Sequence, residues 1–131
     1  MANGEISNEV KNFIEAYIDS VEQINVLRLL IAHDNRVFSI QEIVHELRST
    51  ESAILRRIND LQNRKVLMPS TSESSKQIKF SPTSDEVRVL INLLVRSFAE
   101  MPGKVIEFIY TLPPLTVREF SKAFQFRKES K

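Results

Sequence analysis

The sequence predicts one mainly α-helical domain with a small β-hairpin. Apolar residues recur at spacings of three and four over most of the chain, which indicates amphipathic helices, while one segment near the middle alternates with period two. Its 131 residues can bury a core without covalent staples. The absence of cysteine excludes a disulfide scaffold, a thiolate zinc site and cysteine catalysis, and two glycines are too few for a Gly-rich phosphate loop.

Two helices are predicted in the first third of the chain. Apolar residues keep helical spacing over 6–21, and Ser7 can cap the start of this first helix. Apolar residues occupy enough of the second, over 23–33, to predict that it is largely buried. Asp34 and Asn35 end it, and Val37-Phe38 is expected to be a very short extended segment.

A pair of helices joined by a short turn follows. Ser39 and Glu42 have the spacing of a capping box, which predicts the start of a third helix. A connection of about three residues over 48–50 leads into a fourth helix, with Thr50 or Ser49 as its N-cap. A connection of that length is typical of a helix-turn-helix.

The period changes after Arg64. We expect 66–68 and 77–80 to form the two strands of a hairpin around the polar tip 70–75. Thr83 or Ser84 then caps another helix, which breaks at 101–103. A helical pattern resumes over 104–111, and a last amphipathic segment is predicted over 117–126.

This order of elements is that of winged-helix proteins. Residues 39–47, SIQEIVHEL, are similar to the first helix of the reading unit in winged-helix transcription regulators, and residues 50–61, TESAILRRINDL, resemble their recognition helix. The resemblance covers about residues 22–82. The flanking helices in 1–21 and 83–131 resemble the dimerising helices of MarR-type regulators. The resemblance implies a winged helix-turn-helix fold, a homodimer, binding to double-stranded DNA and regulation of transcription.

The chain departs from that family at the end of the recognition helix and in the wing. Lys65 stands where a glycine usually ends the recognition helix. Ser72 and Ser74 occupy the places of an aspartate and an arginine in the MarR wing, with Glu73 between them.

DNA contacts are predicted along the fourth helix. Its N-terminal residues would reach base edges in the major groove, and Arg56 could pair bidentately with guanine. Arg57, Arg64 and Lys65 would lie closer to phosphates. Residues 48–65 hold five basic and two acidic side chains, whereas residues 1–25 hold one basic and five acidic ones, so the net charge of +1 conceals a basic segment. The predicted DNA-binding residues are Thr50, Glu51, Ser52, Leu55, Arg56, Arg57, Arg64, Lys65 and Lys76.

A dimer interface is predicted on the flanking helices. Aromatic residues concentrate in the last third of the chain, and they are interpreted either as core for those helices or as a surface that a second copy covers. The predicted interface residues are Ile14, Tyr17, Phe98, Phe108, Phe120 and Phe124. A pocket for a small-molecule effector between these helices is implied by the resemblance, and no residue identifies the ligand.

Enzymatic, metal-binding and membrane functions are not expected. No nucleophile, base and orienting acid stand in a recognisable pattern, and His33 and His45 lack a third ligand at metal spacing, so neither metal nor cofactor is predicted. No apolar stretch approaches the length that spans a bilayer. We expect a cytoplasmic protein. The alternative to DNA binding is a winged-helix module that binds a protein, suggested by Glu51, Glu73 and the near-neutral charge.

Overall fold

The computed structural model describes residues 5–69, 77–114 and 117–118. This part of the chain is mainly helical with a small two-stranded antiparallel sheet, as the coarse prediction expected. In chain order the elements are α1 (Asn8–Tyr17), α2 (Val21–Ala32), β1 (Val37–Ser39), α3 (Ile40–Leu47), α4 (Glu51–Asn63), β2 (Gln77–Lys79), α5 (Asp85–Glu100) and α6 (Pro102–Thr111). Among these helices, none has both the length and the apolarity needed to cross a membrane.

Hydroxyl side chains set the starts of five helices by accepting a hydrogen bond from an otherwise unpaired backbone N–H. The predicted caps at Ser7 and Ser39 are confirmed, and Glu42 completes the capping box at Ser39. Ser20 and Gln23 form a second capping box, so α2 begins at Val21 rather than at residue 23. Thr50 caps α4 and Ser84 caps α5.

The sheet differs from the predicted hairpin. β2 pairs antiparallel with β1, with Phe38 opposite Ile78, and not with the segment 66–68. Leu67 in that segment makes an isolated antiparallel bridge to Pro82. Pairing with β1 buries Phe38 and Ile78 in the common core, which a free-standing hairpin would leave exposed. The predicted tip 70–75 lies outside the described residues.

Helix α2 lies at the centre of the core. It packs against α3, α4 and α5, and its side chains Ile24, Val26, Leu27 and Leu30 are fully buried. α1 packs on α5, which also contacts α6. The helices that would carry DNA contacts are therefore supported by the same core as the flanking helices.

The predicted bounds of α5 and the predicted end of α6 at Thr111 are confirmed, and the start of α6 differs. α6 begins at Pro102, because proline suits the first helical position, where its missing N–H has no partner to lose. Of the segment predicted over 117–126, Val117 and Arg118 are helical and the rest lies outside the described residues.

Two basic residues adopt left-handed backbone conformations. Arg48 has φ 53° at the end of α3, and Lys65 has φ 66° just after α4. At both sites a backbone hydrogen bond closes over the helix end, from Ser49 N to Val44 O (3.0 Å) and from Val66 N to Leu61 O (2.9 Å). Lys65 thus adopts a left-handed conformation at the position where the winged-helix resemblance implied a glycine.

Replacing Leu27 by alanine tests the central position of α2. We expect Leu27→Ala to lower the free energy of unfolding by about 2–5 kcal/mol, because the side chain is 0% exposed and its loss leaves a cavity. Urea denaturation followed by circular dichroism measures the change. Val89→Ala, at a side chain 56% exposed on α5, should change stability by no more than about 0.5 kcal/mol. Equal losses in the two variants would contradict the assignment of α2 to the core.

Replacing Lys65 by glycine tests the cost of its left-handed conformation. Lys65→Gly should raise the free energy of unfolding by up to about 1 kcal/mol, because glycine adopts positive φ without a Cβ clash. Asn59→Gly, in the middle of α4, should lower it instead, since glycine is unfavourable inside a helix. The same denaturation experiment distinguishes the two, and destabilisation by Lys65→Gly would show that this residue is not strained.

Candidate nucleic-acid interface

The turn between α3 and α4 is fixed by side chains from both neighbouring helices. Thr50 Oγ1 accepts a hydrogen bond from Ala53 N (3.2 Å) and starts α4. Gln41 Nε2 of α3 donates to Glu51 Oε1 (3.0 Å) in the first turn of α4. These contacts hold the start of α4 in one orientation relative to α3.

A carboxylate on α2 joins the turn and α4 to the central helix. Glu22 Oε2 accepts a hydrogen bond from Ser49 Oγ (2.6 Å), and Glu22 Oε1 accepts one from Arg57 Nε (3.0 Å). The hydroxyl of Ser49 and the guanidinium of Arg57 hold the pKa of Glu22 below its usual value, against a smaller opposing effect of burial. We call this three-residue arrangement the Glu22 clamp.

Two arginines predicted to contact phosphates are used inside the fold. In the clamp, only 24% of the Arg57 side chain is exposed. Arg64, with 19% exposed, points towards α1: its Nη1 donates to Tyr17 O (3.5 Å) and its Nη2 lies 3.7 Å from Asp19 Oδ2. In this conformation both guanidiniums hold α4 to the elements beneath it, and neither is free for DNA.

The outer face of α4 is polar. Ser52, Arg56, Asn59 and Asn63 are exposed at helical spacings of three and four, so they form one stripe along the helix. We call these four residues the α4 stripe. Within the described part of the chain, Arg56, Asn59 and Asn63 have no side-chain hydrogen bond or ion pair, while Ser52 only approaches Thr50 (3.5 Å between hydroxyl oxygens). The stripe thus contributes little to the fold of the described residues.

The remaining predicted DNA-binding residues are divided between surface and core. Thr50, Glu51 and Lys65 are exposed, and Glu51 is held by Gln41. Leu55 is half-buried and packs against the core, so it is a poor candidate for base contact. Lys76 lies outside the described residues.

Sequence reasoning missed Asn59, Asn63 and Arg48. The signal for the two asparagines was present, because they follow Ser52 and Arg56 at helical spacing on the side opposite Ile54, Ile58 and Leu61. Arg48 was taken only as part of the connecting turn. Arg48 takes its left-handed conformation from the way in which α3 ends, and the sequence pattern does not reveal this.

The residues predicted for a dimer interface mostly pack within the chain. Ile14 is 0% exposed in the chain's own core, so it cannot contact a second copy in this conformation. Tyr17, Phe98 and Phe108 are half-buried against that core. Phe120 and Phe124 lie outside the described residues. The described aromatic side chain that is most open to solvent is Tyr110 on α6, 78% exposed.

A shallow open groove follows the end of α3. It is lined by Val44, His45, Glu46, Arg48 and Ser49. The other histidine, His33, packs edge-on against Phe38 with 5.9 Å between ring centroids. Among the described residues, histidines and carboxylates form no group of three or more that could hold a metal ion.

Comparisons of the chain with models of known protein families, with curated proteins and with solved structures give no match. Function is therefore inferred from the residues and geometry of the chain itself.

Replacing Glu22 by glutamine tests the clamp. Because the folded state lowers the pKa of Glu22, the clamp stabilises the fold above the ordinary value of 4.5 and loses this effect as the pH falls through the lowered folded pKa. We expect Glu22→Gln to lower the free energy of unfolding by about 1 kcal/mol at neutral pH. The difference from the unaltered protein should shrink below about pH 4.

Denaturation curves recorded from neutral to acidic pH measure this effect. Glu46→Gln, at an exposed carboxylate on α3 with no ion pair to another described residue, is the matched control and should change stability by less than about 0.5 kcal/mol at neutral pH. A constant difference between Glu22→Gln and the unaltered protein at all pH values would contradict the clamp.

Proposed function

We propose that the chain is a sequence-specific regulator of transcription that binds double-stranded DNA as a dimer through a winged helix-turn-helix. Helix α4 is its recognition helix in the major groove. The observation that carries the proposal is the α4 stripe: four polar side chains in a row on a helix that is held firmly from behind, three of them without a side-chain partner in the described part of the chain.

The chemistry of the stripe suits base edges. The major groove admits an α-helix, and each base pair presents a distinct pattern of donors and acceptors there. Arginine pairs bidentately with guanine, asparagine pairs bidentately with adenine, and a serine hydroxyl can donate or accept. Arg56, Asn59 and Ser52 therefore provide the groups with which proteins discriminate base pairs.

The arrangement around α4 also favours this architecture. α3 and α4 are joined by the three residues 48–50, and the chain after α4 returns through β2 to pair beside the start of α3. The bridge between Leu67 and Pro82 brings the two ends of the intervening segment 68–81 together. In a winged helix, paired backbone at this place in the chain forms the base of the wing.

The dimer in this proposal uses the flanking helix α6, where the side chain of Tyr110 is 78% exposed. A dimer presents two recognition helices to successive turns of DNA, which compensates for the modest number of free cations on one copy.

The second candidate is a module that binds a protein instead of DNA. Glu51 favours it, because this carboxylate lies exposed in the first turn of α4, where it would repel a phosphate. The two candidates differ in a simple observation, which is whether the purified chain binds duplex DNA at low salt.

Replacing Arg56 tests the role of the stripe. A pool of random DNA duplexes is first selected for binding, and the affinity for an enriched duplex is then measured by fluorescence anisotropy. We expect Arg56→Gln to weaken binding by about 1–3 kcal/mol for each half-site and to relax the preference at one base position in each half-site, because a bidentate contact is lost there.

Arg96→Gln is the matched control for this experiment. Arg96 is exposed on α5 and makes no ion pair with another described residue, so its loss should leave the affinity unchanged. Absence of duplex binding even at about 50 mM salt, where phosphate attraction is strong, would contradict the proposed function and favour the protein-binding module.

A further inference from the structure

Only some of the cations that the sequence suggested for DNA contact are free near α4. Residues 48–65 contain five basic side chains, of which Arg57 and Arg64 pair with acids inside the fold. Arg56 belongs to the α4 stripe. Arg48 and Lys65 remain: both are exposed, and neither side chain has a hydrogen bond or ion pair within the described residues.

Arg48 and Lys65 lie at opposite ends of α4. Arg48 precedes the N-cap Thr50 by two residues, and Lys65 follows the last helical residue Asn63 by two. Thirteen helical residues span about 20 Å, whereas the major groove is about 12 Å wide. A helix of this length that crosses the groove at an angle therefore brings its two ends to the two sugar-phosphate strands.

Both positions carry an unfavourable backbone conformation for their side chains. The left-handed φ angles of 53° and 66° suit glycine or asparagine better than arginine or lysine. A positive charge at a helix C-terminus offsets part of this cost. Each left-handed position thus carries a cation just beyond one end of α4.

The immediate surroundings leave both cations available. Glu46 shares the shallow groove with Arg48 without forming an ion pair with it. The backbone of Lys65 is held, because its carbonyl accepts a hydrogen bond from Thr83 Oγ1 (2.7 Å). Thr83 thereby fixes the chain that carries Lys65, and the side chain stays exposed.

We propose that Arg48 and Lys65 form a two-point phosphate clamp, with one cation on each DNA strand at either end of α4. This phosphate clamp sets the position of the α4 stripe in the major groove and carries no base preference itself. This inference rests on the proposed DNA-binding function. It keeps Lys65 as a phosphate contact and puts Arg48 in the place of Arg57 and Arg64, which pair with acids inside the fold.

The test compares Arg48→Gln, Lys65→Gln and the double variant with the control Arg96→Gln. Affinity for a selected duplex and for a random duplex of equal length is measured by anisotropy between about 50 mM and about 200 mM salt. Because a dimer carries each substitution twice, each single variant should reduce the magnitude of the slope of log K against log salt by about 2, and the double variant by about 4. Both duplexes should be affected by the same factor, and Arg48→Lys should retain the slope of the unaltered protein.

Circular dichroism and thermal denaturation verify that the variants are folded, so a loss of slope reports a lost phosphate contact. If the unaltered protein binds duplex DNA and both glutamine variants keep its salt slope, the phosphate clamp is overturned and the proposed function stands. A loss of affinity confined to the selected duplex would also overturn the phosphate clamp, because it would indicate base contact. If the unaltered protein binds no duplex at low salt, both proposals fail together.

Discussion

The placement of α4 depends on one carboxylate. Glu22 projects from the central helix α2 and accepts hydrogen bonds from Ser49 in the turn and from Arg57 in α4, at 2.6 and 3.0 Å. A single side chain thus fixes both the angle at which α4 leaves α3 and the side that α4 presents to the core. Arg57 is turned inward by this contact, whereas Arg56, one residue before it, and Asn59, two residues after it, lie on other sides of the helix and are exposed.

This constraint gives the positive charges of the chain two different roles. Arg57 and Arg64 neutralise Glu22 and Asp19 and connect α4 to the acidic first part of the chain. Arg118 has a similar role at the end of α1, where its Nη1 donates to the carbonyls of Ile14 and Glu15, both at 3.0 Å. The net charge of +1 therefore conceals internal pairing as well as segregation. Any electrostatic attraction to DNA falls to the few cations outside these pairs.

Short-range sequence patterns predicted much of the fold and less of the candidate nucleic-acid interface. Helix starts at Ser7 and Ser39 could be foreseen, because a cap and its partner lie within a few residues of each other. The pairing of β2 with β1 could not, because it joins segments about 40 residues apart. The same holds for Arg57 and Arg64, whose partners are on α2 and beside α1. The helical spacing of polar residues is enough to identify the α4 stripe. The identity of the free cations, in contrast, depends on these distant contacts.

The central claim is that the α4 stripe contacts DNA bases, and an NMR titration tests it most directly. A ¹⁵N-labelled sample is titrated with a selected duplex, and chemical-shift changes are followed for backbone amides and for the side-chain amides of Asn59 and Asn63. The account predicts that the largest changes fall on Ser52, Arg56, Asn59 and Asn63. Changes concentrated on α5 and α6, with the α4 stripe unaffected, would contradict it.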